Sequence, residues 1–173
     1  MASTRQPLAT AICAIRSRCE ATEPMRGDPR IHQVSGEISC YRQAKVFAST
    51  EGSYLEQTST QMGGGIEAVA IDDGEFQRRT YPNPFGGDFQ AEGWEFIERL
   101  DMPGKALQIR DEALALLAAP KAPTGRFDLI VGSAQLALQV HESCGHPTEL
   151  DRAMGLEISL AGGSFLQMPM LDN

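Results

Sequence analysis

Residues 37–81 read EISCYRQAKVFASTEGSYLEQTSTQMGGGIEAVAIDDGEFQRRTY, and this stretch decides the fold. Its strand-like segments are separated by the turn-forming groups EG, GGG and DDG. Short strands joined by such turns are typical of consecutive β-hairpins. We therefore predict an antiparallel meander, or most of one, with strands at Ile38–Ala48, Ser53–Gln61, Ile66–Ile71 and Phe76–Tyr81.

Two glycine-containing segments of this region allow more than one interpretation. Gly63–Gly65 resembles a phosphate-binding loop, but neither a helix nor a Lys-Ser/Thr pair follows it, and that motif requires both. We predict a turn or a bulge there. The segment YPNPFGGD, Tyr81–Asp88, is predicted to be a structural turn, with a substrate rim as the alternative.

A helix and a linker are predicted before the meander. Leu8, Ile12, Ile15 and Cys19 recur at the spacing of one helix face, which is the stripe of an amphipathic helix. Residues 22–30 contain two prolines and a glycine. This composition predicts a linker between the helix and the sheet.

Two helices are predicted after the meander, each begun by an aspartate cap. Asp88 is predicted to cap a helix that ends at Leu100, with Trp94 packed in the core. Asp101 is predicted to cap the next helix, which ends before Pro120. The residues expected to face inward on this second helix are Ala106, Ile109, Ala113, Leu116 and Leu117.

The following elements lead into a histidine-containing motif. Phe127–Val131 is a short apolar run between turn-forming residues, and it predicts a buried strand. Ser133 is a suitable N-cap for the helix Ala134–His146. Leu136 and Val140 are four residues apart and are expected to face the core.

These elements predict an α+β or mixed α/β fold, in which helices flank a mostly antiparallel sheet and the motif helix follows a buried strand. We divide the chain into an N-terminal helix and linker (1–30), an α/β domain with the motif (31–155) and the start of a further region (156–173). After Leu160 no charge occurs until Asp172, so this apolar segment needs a covering surface. We therefore expect an incomplete chain.

The motif reads HESCGH from His141 to His146, with Glu142 between them. Two imidazoles and a carboxylate can serve as ligands and general base of a hydrolytic metal site. The histidines of the common HExxH helix lie about 40° apart around the axis, but a spacing of five gives about 140° on a regular helix. A one-turn π-bulge at Gly145 would bring the two imidazoles together. Pro147 would then end the helix.

The segment HESCGHPTELD resembles the active-site motif of the TldD/PmbA proteins, the modulator-of-gyrase metallopeptidases, in its TldD-type form. Glu149 and Asp151 stand where that motif has a glutamate and an aspartate. The similarity extends through FASTEGSYLEQ, GEFQRRTYPNPFGG and SAQLALQVHESCGHPTELDRAMGLEISLAGGSFL, and covers most of residues 36–166. The chain is thereby identified as resembling an N-terminal portion of such a protein, with residues 1–30 unmatched.

The resemblance implies a Zn2+-dependent peptidase that cleaves peptides or unfolded protein. His141 and His146 would be ligands, Glu142 would activate water, and a cysteine from a C-terminal domain would complete the metal site. This cysteine has no counterpart here, and Cys144 is expected to point elsewhere. Glu149 and Asp151 are candidates for a substitute ligand or for orienting an imidazole N–H. With two ligands we expect weak zinc binding and negligible turnover.

Composition limits the partners and the compartment. A net charge of −8 is the wrong sign for a nucleic-acid surface, and the pair Arg16 and Arg18 is interpreted as solvated surface. The four cysteines show no CxxC spacing. No segment approaches the roughly 20 apolar residues of a membrane span, and no convincing export signal is present. We therefore expect a reduced, cytoplasmic protein that binds neither nucleic acid nor membrane.

Three functional hypotheses follow. The first is a TldD-like zinc peptidase. The second is a non-catalytic subunit paired with an active relative, because the resemblance implies homo- or heterodimers, but the intact HExxxH pattern argues against it. The third is an unrelated module in which HESCGH is accidental and the histidines merely cap a helix C-terminus.

Overall fold

The computed structural model describes residues 6–167 and 169–170, and the side chains of residues 6–13 and 161 are not part of the description. The chain forms two compact units, the first ending at Ala122 and the second beginning at Pro123. The domain boundaries suggested by the sequence, at residues 30 and 155, stay predictions. The fold class is confirmed, since an antiparallel sheet is flanked by helices.

Within the described residues, the first unit contains four antiparallel strands: β1 (Ile31–Ala48), β2 (Tyr54–Asp72), β3 (Glu75–Tyr81) and β4 (Asp88–Gln90). β2 is central, because it pairs with β1 along one edge and with β3 and β4 in succession along the other. The predicted meander is confirmed as antiparallel, but the two strands predicted at Ser53–Gln61 and Ile66–Ile71 form the single strand β2.

The turns of the meander have simple local causes. Asp73 and Gly74 alone join β2 to β3, with φ angles of 45° and 81°. Positive φ at both central residues is the requirement of the tight hairpin turn that Asp-Gly favours. Between β1 and β2, Gly52 has a φ of 90°, and Ser49 N–H donates to the Ser53 carbonyl at 2.9 Å.

The predicted turn or bulge at Gly63–Gly65 is wrong, because β2 continues through all three glycines. A Cβ on Gly65 would overlap the carbonyl oxygen of Gly86 and lie 2.7 Å from that of Tyr81. A Cβ on Gly64 would lie 2.5 Å from the carbonyl oxygen of Glu37. Glycine within a strand marks this kind of close backbone approach.

β1 and β2 extend well beyond the rest of the sheet. Tyr41–Ala48 pairs with Tyr54–Gln61, and β3 and β4 pair with β2 only from Met62 onward. The side chains of β2 are mostly exposed up to Gln61 and mostly buried from Met62 to Ala70. We call the paired segments Tyr41–Ala48 and Tyr54–Gln61 the hairpin arm.

The helix predicted before the meander is present as α1, Gln6–Thr22. The apolar stripe expected for it is wrong at its described residues. Ile15 is 60% exposed and Cys19 is exposed, while Leu8 and Ile12 lie outside the described side chains. Among the described side chains of α1, Ala21 is the fully buried one, and it lies on a different face from Ile15 and Cys19. The small alanine lets the helix approach closely, which is why a search for large apolar residues misplaces the face.

A 3-10 helix, Glu23–Arg26, follows α1. It lies within the segment expected to form a linker, and its Met25 is fully buried. The turn therefore packs into the core, next to α3 and β1.

The helix predicted to begin at Asp88 begins later. Asp88 belongs to β4, where it pairs with Gly64, and α2 spans Trp94–Leu100 with Gly93 as its N-cap. The Gly93 N–H donates to the Glu95 carboxylate at 2.8 Å, which lowers the pKa of Glu95. Trp94 packs against the core as predicted.

Helix α3 spans Met102–Leu117, and Asp101 is its N-cap, as predicted. The Asp101 carboxylate accepts the Gly104 N–H at 3.2 Å, and the residue adopts a left-handed φ of 45° that separates α2 from α3. The inward face is confirmed at Ala106, Ile109 and Ala113, whereas Leu116 is 37% exposed and Leu117 lies at the core edge.

The core of the first unit lies between one face of the sheet and the helices. The Tyr81 hydroxyl ties β3 to α2 by donating to the Leu100 carbonyl at 2.9 Å. The buried hydrophobic residues of this cluster are Ala21, Met25, Val34, Met62, Ile66, Ala68, Ala70, Phe96, Ile97, Leu100, Met102, Ala106, Ile109 and Ala113.

The regular elements described in the second unit are helical. This unit contains α4 (Ser133–Val140), α5 (Leu150–Ala153) and α6 (Ile158–Ala161). The strand predicted at Phe127–Val131 is wrong, because the run is irregular and Ile130 is 99% exposed. An apolar run forms a strand only where another strand satisfies its backbone groups, and no strand pairs with it in the described residues.

The expected core face of α4 is also wrong, because Leu136 and Val140 are 46% and 51% exposed. In neither unit does a described helix combine the length and apolar character needed to cross a bilayer.

Gly65→Ala is expected to destabilise the first unit by about 2 kcal/mol or more, because backbone on the facing segment would have to move. The measurement is urea unfolding followed by the fluorescence of Trp94, the single tryptophan of the chain. Gly27→Ala is the matched control, since its φ is −75° and the nearest atom to its Cβ would be 3.6 Å away. Equal stability of the two variants would contradict the close approach at β2.

Acid is expected to remove the contribution of Glu112, which joins α3 to β3. Hydrogen bonds from Gln108 at 2.8 Å and from Arg79 at 2.5 Å lower the pKa of its carboxyl group. A lowered folded-state pKa stabilises the fold above the unfolded-state value, and this stabilisation is lost as the pH falls.

Glu112→Gln should therefore lower the free energy of unfolding at pH 7 by under about 1 kcal/mol, because the pair is partly exposed. The difference from the parent chain should shrink as the pH is lowered from 7 to 3, measured by urea unfolding. Glu51→Gln removes a carboxylate at an exposed turn and is the control for the loss of one negative charge. A difference that grows towards acid would contradict the assignment.

Candidate metal centre

The HESCGH motif lies at the end of a single helical run. α4 leads directly into a π-helical turn, His141–Gly145, and then into a 3-10 turn, His146–Thr148. The N-cap of α4 is Gly132, and no side chain caps this helix. Ser133, the predicted cap, is its first helical residue. The predicted helix is confirmed, with its start shifted by one residue.

The predicted π-bulge is confirmed at the predicted place. The His146 N–H donates to the carbonyl of His141, five residues earlier. Gly145 has φ and ψ of −64° and −70°, which any residue adopts, and a Cβ there would lie 3.9 Å from the His141 ring. The bulge therefore does not depend on the conformational freedom of glycine.

The π-turn brings the two imidazoles together. The Nε2 atoms of His141 and His146 are 2.8 Å apart, and the rings meet edge to face with centroids 4.3 Å apart. The Glu142 carboxylate lies 4.0 Å from His146 Nε2. The donor atoms of His141, Glu142 and His146 all lie within 4.8 Å of one another.

Glu149 lies on the other side of the His146 ring. Both of its carboxylate oxygens are 3.2 Å from His146 Nδ1, the ring nitrogen that does not face His141. A carboxylate at Nδ1 orients the ring and leaves the Nε2 lone pair for a metal. Of the two roles that the sequence allowed for Glu149, this geometry favours the orienting one.

Two other sequence candidates lie outside the cluster of donors. The Asp151 carboxylate accepts the N–H of Arg152 at 2.8 Å, at the start of α5. Cys144 is exposed and is not among the grouped donor atoms of the described residues. Neither residue therefore contributes an obvious third ligand.

Sequence reasoning missed two residues that hold the end of the motif. The Thr148 hydroxyl lies 3.0 Å from the Cys144 carbonyl and 2.8 Å from the Gly145 carbonyl. Pro147 has no N–H to bond the preceding turn, so a hydroxyl directly after it was a readable signal. The Ser164 hydroxyl donates to the Pro147 carbonyl, a long-range contact with no local signal.

The donor atoms are accessible from solvent. His141 and Glu142 are exposed, and the His146 side chain is 30% exposed. Two nitrogens bound to one tetrahedral zinc ion lie about 3.3 Å apart, given zinc–nitrogen distances near 2.0–2.1 Å. The observed pair fits this geometry after a small outward movement, and imidazole nitrogens suit zinc chemically.

Comparisons with known proteins identify a related family. A family model described as the PmbA/TldA metallopeptidase central domain matches residues 6–117. The sequence resemblance had instead suggested an N-terminal portion, and the matched range ends before HESCGH. No solved structure gives a significant match.

Two archaeal relatives are named metalloproteases. One, from Methanothermobacter thermautotrophicus, is 27% identical over 139 residues, which cover 75% of this chain and 30% of the relative. The other, from Methanocaldococcus jannaschii, is 30% identical over 124 residues, which cover 72% of this chain and 26% of the relative. The chain thus spans less than a third of the length of these relatives. By the match to the family model, the chain belongs to the PmbA/TldD metallopeptidase family.

Proposed function

We propose that the chain carries the zinc site of a TldD-like metallopeptidase that hydrolyses peptide bonds in peptides or unfolded protein. His141 and His146 are the ligands, and Glu142 is the general base. The observation that carries the proposal is the convergence of the two Nε2 atoms to 2.8 Å on an accessible π-turn. The family membership and the names of the two relatives support the reaction type.

Each side chain has a separate task. Zinc, when bound, makes hydroxide available near neutral pH and polarises the scissile carbonyl. Glu142 accepts the proton of the attacking water and delivers it to the leaving amine. Glu149 accepts the Nδ1–H of His146 and so keeps its Nε2 deprotonated towards the ion.

The number of ligands sets the expected affinity. A catalytic zinc site has three protein ligands and one open position, and the described residues supply two imidazoles once Glu142 is reserved for the water. We propose that the third ligand is a cysteine from outside these 173 residues, as the resemblance implies. The isolated chain then binds zinc weakly and turns over substrate negligibly.

The assembly and the compartment are part of the same proposal. We take the working form to be a homo- or heterodimer with a family relative, in the cytoplasm. The described cysteines, Cys19, Cys40 and Cys144, are free thiols, which is in keeping with a reducing compartment.

Zinc binding is expected to depend on both histidines and not on Cys144. Titration calorimetry of the 173-residue chain should show weak, stoichiometric binding that His141→Ala and His146→Ala abolish. Cobalt substitution should give a visible spectrum without a thiolate charge-transfer band, because the ligands are imidazole nitrogens. Cys144→Ser is the matched control and should bind zinc like the parent chain.

Two outcomes would contradict this assignment. Unchanged binding in His141→Ala would make the HESCGH pattern accidental. Robust hydrolysis of unfolded casein by the isolated chain, abolished in Glu142→Gln, would support Glu142 as the general base. It would contradict the proposal that a third ligand comes from outside these residues.

Glu149→Gln is expected to weaken zinc binding by about 10-fold or more, which is the usual effect of losing a carboxylate that orients a ligating histidine. Competition with a chromogenic chelator measures the change. Asp151→Asn removes the same charge two residues away and should leave the affinity unchanged. Equal losses in both variants would mean that Glu149 acts only through its charge.

A further inference from the structure

A second candidate site lies in the first unit, between α1 and β1. The cavity has a volume of about 350 Å³ and is lined by Ile15, Arg18, Cys19, Thr22, Arg26, Val34, Ser35 and Gly36. Two of these residues are arginines, and none carries a carboxylate. In a chain of net charge −8, this is a local concentration of positive charge.

The pairing of the other arginines makes this concentration unusual. Six arginines of the first unit form ion pairs with carboxylates: Arg16, Arg30, Arg78, Arg79, Arg99 and Arg110. Within the described part of the chain, no such pair is found for Arg18, Arg26 or Arg42. Two of these three line one cavity, so the sequence-based interpretation of Arg18 as simple solvated surface is incomplete.

The side chain of Arg18 starts close to β1, next to Gly36. The Thr22 hydroxyl donates to the Arg18 carbonyl at 2.9 Å. A Cβ on Gly36 would lie 3.3 Å from the Thr22 methyl group and 3.9 Å from Cγ of Arg18, so the arginine stem crosses β1 at the glycine. Val34 and Gly36 face α1 from β1, because alternate residues of a strand share one face.

We propose that this cavity binds a phosphate group, free or carried by a small molecule, through the guanidinium groups of Arg18 and Arg26. Guanidinium groups match phosphate oxygens by paired hydrogen bonds. Two guanidinium groups also balance the near-double negative charge of a phosphate group at neutral pH. A bound carboxylate ligand carries one negative charge, so it would leave one of the two guanidinium charges without a counterpart.

Cys19 provides a direct readout, because it lies on the cavity wall and is exposed. The 173-residue chain is labelled with the neutral reagent N-ethylmaleimide while inorganic phosphate is titrated at constant ionic strength. Mass spectrometry then gives the labelling rate of each cysteine. Phosphate should slow the labelling of Cys19 and leave that of Cys40 and Cys144 unchanged.

Arginine variants and a second anion complete the test. Arg18→Gln and Arg26→Gln should each raise the phosphate concentration needed for protection by about 10-fold or more, the usual effect of losing a charge-assisted hydrogen bond. Arg42→Gln makes the same charge change on β1 outside the cavity and should have no effect. Glucose 6-phosphate should protect at lower concentration than inorganic phosphate if the phosphate is carried by a small molecule.

The proposal is overturned if phosphate leaves Cys19 labelling unchanged, if it slows Cys19, Cys40 and Cys144 alike, or if acetate protects Cys19 equally at the same concentration. Protection that persists in both arginine variants also overturns it. The comparison of Cys19 with Cys40 in the parent chain decides the matter even where a variant fails to fold. None of these outcomes depends on zinc or on peptidase activity.

Discussion

The middle of β2 has no room for a methyl group, and much of the first unit depends on this constraint. Three glycines let β1, β4 and the segment around Gly86 approach the same strand at backbone distance. The buried part of β2 starts at this point and supplies Met62, Ile66, Ala68 and Ala70 to the core. The helices then cover a sheet in which the segments next to β2 lie at backbone distance from its glycines.

The metal centre depends on a different constraint, which is the angle around the helix axis at which each histidine projects. A regular helix would place the two histidines on different faces. One hydrogen bond from the His146 N–H to the His141 carbonyl changes this angle and brings the two imidazoles together. The Thr148 hydroxyl then satisfies the carbonyls near Pro147. The chemistry of the motif thus rests on backbone hydrogen bonding, with Glu149 setting the orientation of one ring.

Features with local causes could be predicted from the sequence. The Asp73–Gly74 turn and the Asp101 cap each follow from a few neighbouring residues, and the π-bulge was predicted from the five-residue spacing of His141 and His146. Features whose cause lies in residues far away along the chain could not be predicted. The glycine run was misread because its reason is the Gly86 carbonyl, and the run around Ile130 was misread because an apolar segment does not reveal whether a partner strand exists. The buried face of α1 was missed because its described contact is the small Ala21.

The hairpin arm has a further consequence for local stability. In the part of the chain that the structure describes, its backbone hydrogen bonds join only β1 and β2, and most of its side chains are exposed. An isolated two-stranded hairpin is marginally stable, so the arm can open while the core stays folded. Its amide hydrogens should exchange with solvent through such partial openings, whereas the amides of β2 beyond Met62 should exchange only when the whole unit unfolds. The same strand thus belongs to two cooperative units that differ in stability.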